Sequence, residues 1–256
     1  MDLEEKSFMH TYKIADLIIA LQTNYRTLAR QSSQYLSEEK RPVDMTIAIG
    51  EDLLRKKQIE NPHLSDDECE YIWTGSEFYR RLLDFGGLML HASAIAYEGR
   101  SYLFSASCGI GKSTHARLWQ QYFGNDKVQI INDDKPALRF IEDSFYVYGT
   151  PWSGKSQYSL NVKVPLQAIC FLEQSTNNWI IKLGSNAVLK LILGQTLRPY
   201  DLHHMDNLLA LLNKLIMQIP VYKMGCNISH EAVIMAYQVM SSGRVTHHFN
   251  AGTPKS

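Results

Sequence analysis

The stretch Ser101-Tyr102-Leu103-Phe104-Ser105 runs without a break into Ala106-Ser107-Cys108-Gly109-Ile110-Gly111-Lys112-Ser113-Thr114. An apolar strand, a loop of small residues ending in Gly-Lys-Ser, and a helical run from Ser113 to Phe123 leave this region few ways to fold. Small residues let consecutive backbone N–H groups converge on an anion without obstruction from Cβ atoms. The helix N-terminus adds partial positive charge at the same place. Lys112 can reach the outer phosphates of a nucleotide, and Ser113 can offer a hydroxyl to Mg²⁺. The pattern departs from its usual form at Ala106, where a glycine normally stands.

A second signal follows at Ile130-Ile131-Asn132-Asp133-Asp134, with Asp133 lying 21 residues beyond Lys112. That distance holds a helix, the turn Gly124-Asn125-Asp126 and a buried strand from Val128 to Ile131. A right-handed crossover makes the two strands parallel, so both C-terminal ends emerge at one sheet edge and bring the Asp pair beside the loop. One carboxylate can then help to hold Mg²⁺ while the other accepts a hydroxyl proton; residue order alone leaves the division open.

Around this unit the chain divides softly near Gly86. Before it, Tyr12–Tyr25 suggests a strand or the start of a hairpin, Val43–Ile49 a strand, and Glu51–Gln58 a short charged helix or turn. Asn61-Pro62 and the acidic run Asp66-Asp67-Glu68 suggest a loop, and Ser76–Phe85 a helix capped by Ser76 and stopped at Gly86-Gly87. After it, Leu88–Tyr97 and Ser101–Ser105 suggest consecutive strands. Leu138–Tyr148 suggests two more about Glu142-Asp143-Ser144, Val162–Leu172 one or two, and Trp179–Leu183 another. Helices are expected over Ser185–Thr196, Met205–Gln218 and Ser229–Met240, with a strand at Val221–Met224. Residues 1–85 thus form an N-terminal α+β segment packed on a domain spanning 86–242, and 243–256 form a flexible tail.

Composition narrows the function. With 26 Lys+Arg against 26 Asp+Glu, the chain has no broad electrostatic footprint for nucleic acid or anionic lipid. Its most apolar segment, Leu208–Ile219, is interrupted by Asn213 and Lys214 and is too short to span a bilayer. Nor do the first residues lead into a signal-like apolar stretch. The four cysteines, Cys69, Cys108, Cys170 and Cys226, are widely spaced with no CxxC pair, as expected of reduced thiols in a cytoplasmic protein.

Met89-Leu90-His91 and its strand, then Gly99, then Ser107-Cys108-Gly109-Ile110-Gly111-Lys112-Ser113, then Asp133-Asp134, resemble the order of motifs in the HPr kinase/phosphorylase family. Bacterial ATP-dependent phosphoenolpyruvate carboxykinase is similar in the loop and the Asp pair. The likeness covers about residues 86–240 and is greatest to shorter HPr-kinase-like proteins, some of which act as kinases in peptide-modification pathways. It implies an α/β fold: an HPr kinase/PEP carboxykinase-like P-loop domain, here with an N-terminal α+β layer.

The resemblance further implies that Gly109, Gly111, Lys112 and Ser113, with Thr114 beside them, bind ATP phosphates and metal. Ser107, Cys108 and Ile110 complete the loop. It also implies that Asp133 and Asp134 share the base and metal roles, Ser113 and Asp134 being the metal candidates, and that His91 sits near the phosphates. The expected activity is Mg²⁺- and ATP-dependent phosphoryl transfer to a hydroxyl, of Ser or Thr in a peptide or protein. A small-molecule acceptor, a carboxykinase-like reaction and a nucleotide sensor without transfer are the alternatives, and the oligomeric state stays open.

Beyond the Asp pair the chain departs from HPr kinase. Val147-Tyr148-Gly149-Thr150-Pro151-Trp152-Ser153-Gly154-Lys155-Ser156 stands where the family has an Arg-Gly-Leu-Gly-Ile type of sequence. An acceptor other than HPr is therefore expected. Gly154 and Lys155 could meet it or a phosphate, unless the segment is a surface turn anchored by Trp152. Arg198 fits a surface arginine better than a phosphate ligand, and Asp201-Leu202-His203-His204-Met205-Asp206 fits a helix start better than a metal site.

Overall fold

The protein is described by a computed structural model over residues 8–242; the tail expected at 243–256 lies outside the described residues. Strands β1 (Phe8–Ile14) and β2 (Leu17–Thr23) form an antiparallel hairpin. Its two-residue turn, Ala15-Asp16, has both residues at positive φ (53° and 62°), the turn whose twist suits a hairpin. The segment α1 (Arg26–Ser32) follows, and β3 (Met45–Ile47) adds to β2 in parallel, shorter than the strand expected over Val43–Ile49.

Next come α2 (Glu51–Glu60) and α3 (Asp66–Leu82). Here the structure corrects two expectations. The acidic run is the first turn of α3, not a loop, and the helix is capped by Ser65 rather than Ser76. Ser65 accepts from the Glu68 N–H while the Glu68 carboxylate accepts from the Ser65 N–H, a reciprocal capping box. Three carboxylates then lie where the helix dipole favours them. Ser76 sits inside the helix and its hydroxyl bonds the Ile72 carbonyl.

The remaining strands are β4 (Gly87–Met89), β5 (Ala92–Tyr97), β6 (Arg100–Ser105), β7 (Gln129–Asn132), β8 (Ala137–Ile141), β9 (Ser144–Tyr148), β10 (Lys163–Gln174), β11 (Trp179–Lys182) and β12 (Val221–Cys226). The helices are α4 (Lys112–Phe123), α5 (Ser185–Leu193), α6 (Leu202–Gln218) and α7 (His230–Ser241). The single strand expected over Leu88–Tyr97 is two, separated at Leu90-His91. One long strand, β10, organises the sheet. Its first residues pair antiparallel with β9, which leads to β8 and β4, while its second half runs parallel to both β6 and β12.

Period-two burial divides the core. From β6, β10 and β12, Leu103, Ile169, Phe171 and Val221 face Leu208, Leu212 and Leu215 of α6. Their alternating neighbours Tyr102, Phe104, Ala168, Cys170, Tyr222 and Met224 face Trp119 of α4 and Val233 and Ala236 of α7. A third cluster crosses the soft boundary near Gly86. Ile14, Leu21, Leu28 and Tyr35 pack with Phe78 and Tyr79 of α3 and with Ala137, Tyr148 and Trp152 from beyond it. No helix among the described residues is long and apolar enough to cross a membrane.

Candidate active site

Strand β5 lies between β6 and β7 and is antiparallel to both, so β6 and β7 are parallel to each other. Their C-terminal ends therefore open on the edge at which β5 begins. The glycine loop leaves β6 there, Asp133 and Asp134 leave β7, and His91 precedes β5. The Ala92 N–H donates to the Asp134 carbonyl (3.1 Å), tying the start of β5 to the Asp pair.

Gly109 and Gly111 both adopt positive φ (81° and 115°), and Gly111 caps α4. Loop and helix expose Cys108 and bury Lys112. The Lys112 Nζ donates to the Ala106 carbonyl (3.2 Å), its one hydrogen bond among the described residues. Burial pushes the Lys112 ammonium below its ordinary pKa, against the charges of Asp134, Cys108 and Asp133. In the same first helical turn, burial pushes His115 down to about 4, so its imidazole is neutral, and Nε2 accepts from Trp119 Nε1 (3.2 Å).

The two aspartates are held differently. Asp133 is buried and its Oδ1 accepts from Ser93 Oγ at 2.5 Å. Asp134 is half-buried; its Oδ1 lies 3.2 Å from His91 Nε2 and its Oδ2 lies 3.3 Å from Lys135 Nζ. Burial alone would raise the Asp134 pKa, but the His91 hydrogen bond and the Lys135 and His91 charges hold it below the usual carboxylate value. The Nδ1 of His91 donates to Gln195 Oε1 (2.9 Å), which orients the ring. Asn132 shapes the backbone, its Oδ1 accepting from the N–H groups of Asp134 and Lys135 (3.0 and 2.8 Å).

A cleft of about 950 Å³ joins these groups, lined by Cys108, Gly109, Gly111 to Thr114, His91 and the Asp pair on one side. Gly154 and Lys155 line it too, so both reach the cleft while Trp152, in the same segment, is buried as an anchor. Trp152 stacks on Phe78 (ring centroids 4.8 Å apart) and donates to Thr74 Oγ1 (3.2 Å). Ser107 and Ile110 lie outside the cleft lining. Arg198 is exposed and lines a separate cavity, and Asp201 caps α6 through His204. No group of acidic, histidine or cysteine side chains among the described residues is set to hold a metal by itself, so a cation here needs additional oxygen ligands.

Sequence reasoning missed one whole wall. Thr27 and Gln31 of α1 and Asp67, Glu68 and Tyr71 of α3 line the cleft opposite the glycine loop. The Tyr71 hydroxyl accepts the Gly154 N–H (3.0 Å) and donates to Gln31 Oε1 (3.3 Å); burial raises its pKa, keeping it a neutral phenol. The capping box marks Glu68 only as part of a helix start; nothing local marks any of these residues as cleft lining, because they reach the cleft only through packing. Lys135 and Ser93 carried weak signals: one follows the Asp pair directly, and the other is two residues beyond His91, inside β5.

Fold and cleft define a mixed α/β protein in which a glycine-rich strand-to-helix loop confronts a pair of aspartates. The chain belongs to the family described as SynChlorMet cassette protein ScmC, whose model matches residues 69–232. Among solved structures it is distantly similar to the HPr(Ser) kinase/phosphatase from Coxiella burnetii, with 13% identity and a TM-score of 0.33 over 60% of this chain and 95% of that one. No curated protein matches it. The family shown is thus distinct from HPr kinase/phosphorylase, whose motifs the sequence resembles.

Proposed function

We propose that this protein is a Mg²⁺-dependent phosphotransferase that moves the γ-phosphoryl group of ATP to a hydroxyl, of Ser or Thr in a peptide or protein. The observation that carries the reading is Lys112. A buried ammonium with a single carbonyl partner, at the mouth of a glycine loop, has donors left for anionic oxygens. Bound Mg²⁺ would supply charge neutralisation between the phosphates. The loop N–H groups and Lys112 hold the phosphate oxygens, and Ser113 and Asp134 are the oxygen donors for the cation. Asp134, kept ionised by His91 and Lys135, suits a metal ligand better than a base. Asp133, fixed by Ser93, then takes the acceptor proton. Gly154, Lys155 and Tyr71 form the wall on which the acceptor rests, opposite the loop as in-line attack requires.

Calorimetry with Mg·ATP, followed by ADP release measured with and without host extract, tests this. Binding and acceptor-dependent release are expected, with Lys112→Ala abolishing turnover. Asp133→Asn should lower transfer by at least ~10²-fold. Absence of Mg·ATP binding would overturn the reading, and binding without acceptor-dependent release would make the protein a nucleotide sensor.

A further inference from the structure

Behind the glycine loop lies a second cavity, of about 680 Å³. Gly109, Gly111 and Thr114 line both this groove and the cleft, so the loop is the wall between them. We propose, resting on the phosphotransferase reading, that this groove holds the nucleoside of the donor nucleotide, its base packed among Ile110, Leu118 and Ile228.

Three observations converge on this. The first is direction. A transferable phosphoryl group must lie in the cleft with Asp133 and Asp134, so the rest of the nucleotide has to leave the loop on its other side, where the groove begins.

The second is architecture. The groove is closed by the segments that follow β10 and β12, and these strands are parallel to β6, from which the glycine loop springs. Three parallel strands thus deliver their C-terminal ends to one place, where open α/β sheets accept ligands.

The third is preparation. Ile228 is 78% exposed although it lies beside the partly buried Ile110 and the buried Leu118, so an apolar face stands open. The wall bearing it is cross-braced. The Asn227 N–H donates to Asn178 Oδ1 (3.0 Å), its Nδ2 donates to the Thr176 carbonyl (3.1 Å), and its Oδ1 accepts from Ser229 Oγ (2.6 Å). The Ser175 N–H also donates to the Cys226 carbonyl (3.1 Å). Such bracing fixes the two segments relative to each other before anything binds, which lowers the ordering cost of binding. The volume is within the range of small-molecule sites.

The test compares ATP with inorganic tripolyphosphate, which has phosphates but no nucleoside. The wild-type protein should bind both, in the presence of Mg²⁺. Thr176→Trp, which fills the groove from an exposed position, should weaken ATP at least about tenfold, and Ile228→Ala at least about fivefold. Tripolyphosphate binding should be unchanged in both variants. Tripolyphosphate binding in the wild type, with ATP affinity unaltered in both variants, would overturn the groove assignment and leave the phosphotransferase reading intact. Equal weakening of both ligands would also overturn it, since the damage would then lie in the loop. Failure of the wild type to bind either would overturn both readings together.

Discussion

Gly154 rests directly on the side chain of Asp134. A Cβ added at Gly154 would stand 2.8 Å from Asp134 Cβ and 2.9 Å from its Cγ, and Gly154 has a φ of +70°. Both the contact and the backbone conformation require glycine. Gly154→Ala should push the Asp134 carboxyl out of place and slow phosphoryl transfer at least about tenfold, while ATP affinity stays within about threefold. Single-turnover rates beside calorimetric affinities will show it. A variant with the full rate would mean that the position of Asp134 does not matter to transfer.

Ser93 should act through Asp133. Its hydroxyl is the buried donor to Asp133 Oδ1, and Ser93→Ala leaves that oxygen short of a partner. A fall in kcat of about tenfold with an unchanged KM for ATP is expected, together with roughly 1–3 kcal/mol of lost stability in urea. A rise in KM alone would place Ser93 on the nucleotide side instead.

His115 makes the fold acid-sensitive. Burial lowers its pKa from 6.5 to about 4, so the unfolded chain binds a proton there more readily than the folded one. The contribution is fully present above pH 6.5 and is lost as pH falls towards 4, with an upper size of about 3 kcal/mol. Thermal melts at steps between pH 7 and 4 should show stability falling over that window. His115→Gln, which keeps an acceptor for Trp119, should flatten the fall, and an identical acid limb in the variant would assign the sensitivity to other groups.

Trp152 should anchor the cleft wall bearing Gly154 and Lys155 to α3. A Cβ at Gly75 would meet Trp152 Cδ1 at 2.7 Å, so helix and ring are fitted to each other. Trp152→Ala should cost about 3–5 kcal/mol in denaturant unfolding, and Gly75→Ala should destabilise through overpacking, by roughly 1–3 kcal/mol. A cost under about 1 kcal/mol for Trp152→Ala would show that the segment is held by something else.

The strand, glycine loop and helix around Lys112 were legible because each is announced by neighbours in the chain: an apolar run, small residues, then helical spacing. The parallel arrangement of β6 and β7 followed from the helix between them, which carries the chain back to the edge where β6 began. The start of helix α3 is hidden in the sequence because its cap, Ser65, precedes an acidic run that looks like a loop until Glu68 completes the capping box. Ser76 carries the same residue type but sits inside the helix, where its hydroxyl folds back on Ile72.

By itself, the sequence determined the local devices of this protein: the glycine loop before Lys112, the Asp pair at its distance from that lysine, and the continuous apolar runs of β6 and β10. Only the tertiary structure decided that Tyr71 meets Gly154, that Gly154 presses on Asp134, and that α1 and α3 close the cleft. The physical reason is range. Backbone conformation, caps and strand periodicity depend on residues a few positions apart, whereas the contacts of Trp152 with Phe78 and Gly75 depend on shape complementarity between surfaces far apart in sequence, which no local pattern encodes.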